Sequence, residues 1–220
     1  MLHTTTRPRA AVARTFHARP ASLLLAAAGA ALAACGQDPL EAASANNLNT
    51  IPVEFVVYPF SSAPAPLNTA VSVGGLSAVR PTVAAVLVGQ NTLLVPNFDF
   101  AVDRATDGRT RLLPAKLLAG LEGTGRLLRV GIQAVTTPFD SLRSAPNGGT
   151  YQRDSATVVD RGQTFVVEAE PASCLSNART FLYAKFVVDS VSAATGGIHV
   201  RGVIDPNCGF RSLAPGRPTS

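Results

Sequence analysis

The sequence predicts an all-β domain, an antiparallel β-sandwich of about eight to ten strands. Three observations lead there. Short apolar runs recur from Ile51 to Ile204, several alternating apolar and polar positions. Sixteen prolines and eighteen glycines punctuate those runs. Tight-turn chemistry, as at Asp107-Gly108 and Asp160-Arg161-Gly162, separates neighbouring runs. A closed β-barrel is the alternative, because closure also removes sheet edges.

The elements follow in order. In Ile51–Tyr58, the side chains of Ile51, Val53, Phe55 and Val57 share one face, and Pro52 marks an edge strand. Ser61–Pro66 is a loop, and Leu67–Val73 is a second strand ended by Gly74-Gly75. Thr82–Val88 is a dense apolar run, long enough for a buried strand and short for a helix. The clearest hairpin starts at Asn97–Asp103, with Phe98, Phe100 and Val102 inward and Asp99, Ala101 and Asp103 outward; Thr110–Leu113 returns. Pro114–Leu121 reads as one or two helical turns, and Arg126–Val135 alternates as a strand.

Phe139–Tyr151 is the longest irregular stretch, and loops of that size are more often functional than short ones. Ala156–Val159 and Gln163–Glu170 are expected to pair as a hairpin. Thr180–Ser190 is apolar on both faces and is expected at the centre of a sheet, and Ile198–Ile204 returns beside it, leaving His199, Arg201 and Val203 outward.

The first 34 residues have a different character. Arg7, Arg9, Arg14 and Arg19 precede the apolar run from Ala21, and no acid is present, which is the pattern of a secretory signal. The run of about 14 residues falls short of the roughly 20 that a spanning helix needs. Pro8 splits Arg7 from Arg9, so the general secretion route is expected.

The segment ends Leu32-Ala33-Ala34-Cys35, which resembles the lipobox of bacterial lipoproteins. The resemblance covers the signal alone. It implies cleavage before Cys35 and acylation of its thiol, with two or three acyl chains anchoring the chain to a membrane. Residues 1–34 are then signal, 35–50 a lipidated flexible tether, and 51–220 a single β-rich domain. Gly36, in place of Asp, follows the cysteine; by resemblance to the enterobacterial sorting rule this implies the outer membrane and leaves the membrane face open.

Without the signal, fifteen basic residues face fourteen acidic ones, a net charge of +1. No nucleic-acid partner is therefore expected, since such binding needs a basic face. Cys174 and Cys208 remain as an even pair, expected to form a disulfide in an oxidising envelope. Pro206–Phe210 is then the turn that carries the bridge, with Phe210 over the core edge.

No catalytic motif stands out, and neither a cofactor nor a metal is expected. His199 is the only histidine left for a serine hydrolase, and no G-x-S-x-G occurs. Glu168 and Glu170 share a strand face and would be the carboxylate pair of a glycosidase, but a solvated face is the simpler reading. Asp103 and Asp107-Gly108 lack the alternating ligands of a calcium loop. The expected role is a non-catalytic envelope lipoprotein that binds a ligand or protein through its loops. A structural accessory subunit of an outer-membrane assembly and a hydrolase with a dispersed site are the alternatives.

Overall fold

The structure is a computed structural model that describes residues 48–88, 91–118, 129–171, 174 and 181–218. The expected signal, Cys35 and most of the expected tether lie outside the described residues, as does the start of the strand expected at Arg126. Among the described residues there are twelve strands: β1 (Ile51–Val57), β2 (Ala70–Ser72), β3 (Ser77–Val79), β4 (Val83–Val88), β5 (Asn91–Pro96), β6 (Phe100–Arg104), β7 (Thr110–Pro114), β8 (Val130–Val135), β9 (Thr157–Val159), β10 (Thr164–Ala169), β11 (Leu182–Val191) and β12 (Ile198–Asp205).

Two five-stranded sheets form an open sandwich, in the orders β1-β12-β11-β10-β8 and β3-β2-β6-β7-β9, and all pairings are antiparallel. The sheets keep free edges, so the barrel alternative is not realised. Strands β4 and β5 form a third, two-stranded sheet.

The two-residue period decides what each strand contributes to the core. From the first sheet come Ile132, Phe165, Val167, Ala184, Phe186 and Ile204; from the second come Val71, Phe100, Val102, Leu112 and Val159. Phe100 meets Phe165 edge-on, with ring centroids 6.1 Å apart, and Phe186 at 5.9 Å, while Phe165 and Phe186 stack at 5.5 Å. These aromatic contacts join the two sheets. Strand β11 sits at the centre of its sheet and β1 at its edge, as the sequence implies.

Three expectations are corrected. Residues 157–159 and 163–170 do not form a hairpin: β9 pairs with β7, whereas β10 lies between β8 and β11. The turn at Asp160–Gly162 carries the chain from one sheet to the other, and a turn that crosses a sandwich has the same residue chemistry as one that closes a hairpin. The outward face of β6 is not solvated, because Ala101 packs with Ala70, Phe98 and Ala115 in a second cluster and Asp103 is 1% exposed. The apolar run at 82–88 is a strand but is not buried, with Val83 45% and Leu87 76% exposed.

The chain reaches the sandwich at Leu48, whose N–H donates to Asn207 Oδ1 (3.2 Å) and whose carbonyl accepts from Asn207 Nδ2 (2.9 Å). Beside it Cys174 and Cys208 form a disulfide with Cα atoms 5.6 Å apart. The bridge clamps the end of the β11–β12 hairpin where the outgoing strand begins and the returning one ends.

Candidate functional site

Three features stand as candidate sites: the buried carboxylates, a groove beside β1, and the β4–β5 hairpin. Glu168 and Glu170 are buried, 2% and 6% exposed, which corrects the expectation of a solvated pair. Their burial comes from the long loop after β8, which lies over the outer face of the first sheet. There Leu142, Ala145, Tyr151, Val166 and Leu213 form a third cluster, with Ala145 N–H donating to Arg211 O (2.8 Å).

Glu168 faces Gly131 across the β8–β10 pairing and Tyr183 across β10–β11. It is ion-paired with Arg153, and Glu170 lies 3.8 Å from Arg129. Burial pushes the Glu168 carboxyl above its usual range, against the opposing pull of Arg153. The Glu168–Arg153 pair thus joins the loop to the sheet, whereas Arg129 stands at the start of β8 in the same sheet and the buried Oε2 of Glu170 has no hydrogen-bond partner among the described residues. His199 stands exposed on β12, far along the sheet from β8 and β10, so the structure does not bring it together with these acids.

A second buried ion fastens the same loop. Lys185 Nζ, 3% exposed, donates to the carbonyls of Phe139 and Leu142, both at 2.8 Å, and lies 4.6 Å from the centre of the Phe139 ring. Burial pulls its ammonium below the usual lysine range. Arg201 covers the Phe139 ring at 4.4 Å and pairs with Asp189 (3.2 Å) and Asp140 (3.7 Å). A groove of about 400 Å³ opens here, lined by Pro52, Glu54, Phe139, Arg201 and Val203. Its cation already has two carboxylate partners.

At the other acids, Ser61 Oγ and Arg111 donate to Asp103 at 2.7 and 2.8 Å. Burial raises its pKa, but these bonds outweigh that and hold the carboxyl below the usual range. Asp107 is exposed and pairs with Arg109, its neighbour in the turn (2.8 Å). Among the described residues no group of three His, Cys, Asp or Glu is placed to hold a metal.

The hairpin differs from all of these. Residues 81–98 contain no charged side chain. Within them Val83 pairs with Pro96, Ala85 with Leu94 and Leu87 with Thr92. Val83, Ala84, Ala85 and Leu87 are exposed, and since consecutive strand residues face opposite ways, both faces of the ribbon present apolar groups to solvent. The base is fixed: Asn97 Oδ1 accepts from Thr82 N–H (2.8 Å), its Nδ2 donates to Arg80 O (3.1 Å), and Leu94 packs on the cluster around Phe98. A pocket of about 160 Å³ at the base is lined by Phe60, Leu67, Arg80 and Pro81, with Phe60 itself 41% exposed.

The sequence reading found β4 but missed its exposure and missed β5. The absence of any polar alternation in either strand was the available signal. No protein-family model matches the chain, and neither curated proteins nor solved structures show significant similarity to it.

Proposed function

We propose that this chain is a lipid-anchored lipoprotein of the bacterial cell envelope that acts by binding, with the β4–β5 hairpin as its binding element. The carrying observation is the uncharged ribbon whose two faces both expose apolar side chains. Leaving such surface in water is unfavourable by about 25 cal/mol per Å², so apolar patches of this kind mark interaction sites. The Glu168 carboxyl supports a structural role over catalysis, because it is ion-paired with Arg153 beneath the loop. Leu32-Ala33-Ala34-Cys35 supports acylation at Cys35, and Gly36 after it supports anchoring at the outer membrane.

Two experiments test this. Metabolic labelling with a palmitate analogue should mark the wild type and leave Cys35→Ser unlabelled; equal labelling would refute the anchor. A photo-crosslinker placed at Leu87 in cells should yield discrete adducts, and one at His199 should not. Absence of adducts from Leu87 would refute the binding role.

A further inference from the structure

We propose that Asn147-Gly148 is a self-modification site, at which the backbone nitrogen of Gly148 displaces the side-chain amide of Asn147 as ammonia and the Arg211 guanidinium promotes the step.

Of the nine asparagines in the chain, Asn147 alone precedes a glycine. A backbone nitrogen that attacks the side chain before it needs a flexible, unshielded main chain, and glycine has no Cβ to stand in the way. The fold leaves that access open. Asn147, Gly148 and Gly149 are all exposed, in the loop that lies over the outer face of the first sheet. A Cβ on Gly148 would meet nothing within 4 Å among the described residues.

The residues around this turn are held in place. Tyr151 Oη donates to Pro146 O (3.3 Å), and Gly149 N–H donates to Asn147 O (2.8 Å). Arg211 Nη1 donates to Asn147 Oδ1, while its Nη2 donates to Ala145 O and the guanidinium carbon lies 5.7 Å from the centre of the Tyr183 ring. A cation fixed on Oδ1 polarises the amide carbonyl. It also stabilises the negative charge that gathers on that oxygen as the nitrogen attacks.

In the first step the Gly148 nitrogen gives its proton to solvent and bonds to Asn147 Cγ. The Cγ–Nδ2 bond breaks, and the leaving nitrogen takes up a proton and departs as ammonia. Water then opens the cyclic imide at either carbonyl, giving aspartate or isoaspartate with no change of oxidation state. Asp107-Gly108 offers the same glycine but a poorer electrophile. Its carboxylate accepts from Arg109 N–H (3.0 Å) and Arg109 Nε (2.8 Å), which hold it below the usual carboxylate range, and an ionised carboxylate resists nucleophilic attack.

Peptide mass mapping of the purified full chain, held at mildly alkaline pH, should find conversion at Asn147 while Asn68, Asn97 and Asn207 keep their amides. Gly148→Ala should fold as the wild type does, because φ at this position lies outside the left-handed region and the space is open. It should slow conversion about tenfold, since the methyl group shields the attacking nitrogen. Arg211→Met, and Arg211→Lys, which lacks the planar fork, should each slow it roughly tenfold through loss of a charge-assisted donor. If Arg211 only tethered the loop, its replacement would leave the rate unchanged or raise it, and either result overturns the part given to Arg211. An Asn147 that keeps its amide as long as Asn97 does, or a Gly148→Ala variant that converts as fast as the wild type, overturns the site itself.

Discussion

Phe186 lies across Gly202. The two are directly opposed in the β11–β12 pairing, and the Phe186 ring occupies the space where a side chain at Gly202 would stand. A Cβ there would fall inside the van der Waals radius of the ring and 3.0 Å from the Lys185 carbonyl oxygen. The missing side chain is what lets Phe186 stack on Phe165 and reach Phe100 in the opposite sheet.

Gly202→Ala should therefore push Phe186 off its packing and destabilise the fold by about 2 kcal/mol or more, in the range of core overpacking. Urea unfolding measures this. A change within about 0.5 kcal/mol, as at an ordinary surface site, would contradict the role given to Gly202.

Glu168 makes a second prediction, on the outer face of the same sheet. Arg153→Met leaves the buried Glu168 charge without its cation, and should cost about 2 kcal/mol near neutral pH while speeding proteolysis within residues 139–155. The double variant Glu168→Gln/Arg153→Met should recover part of that loss, because it leaves no unpaired charge beneath the loop. A neutral single variant would contradict the loop-fastening role.

Asp99 sets a pH dependence. Burial raises its pKa from 3.8 to about 6, although Val73 N–H donates to its Oδ2 at 2.6 Å. A carboxyl whose pKa is higher folded than unfolded favours the fold while protonated. That contribution is full below about pH 4 and is lost as the pH rises through about 6, by about 3 kcal/mol in all. Asp99→Asn should remove this slope, so stability curves of the two proteins should converge or cross between those values. Parallel curves would contradict the assignment.

Much of the sandwich was legible because burial imposes a period of two. Phe100 and Val102 in β6, and Leu182 to Val188 in β11, alternate as the core requires. The disulfide was legible because only Cys174 and Cys208 remain once Cys35 is set aside. Burial of Glu168, Glu170 and Lys185 was not legible. It depends on a loop that folds back over the outer face of the sheet, and a charged residue on a strand looks the same in sequence whether water or an arginine lies above it. The β4–β5 ribbon failed for the opposite reason. An apolar run signals burial only when the fold has something to lay over it, and here the sheet that would cover Val83 and Leu87 is absent among the described residues.

The central claim is that the β4–β5 hairpin is a binding surface and not part of the core. Amide hydrogen exchange of Ala84–Leu87, compared between the protein in isolated envelopes and the purified full chain, tests it most directly. Exchange should be slower in the envelope, where the binding partner is present, than in the purified chain, with Leu87→Lys fast in both. Protection that is the same in both and survives Leu87→Lys would contradict it.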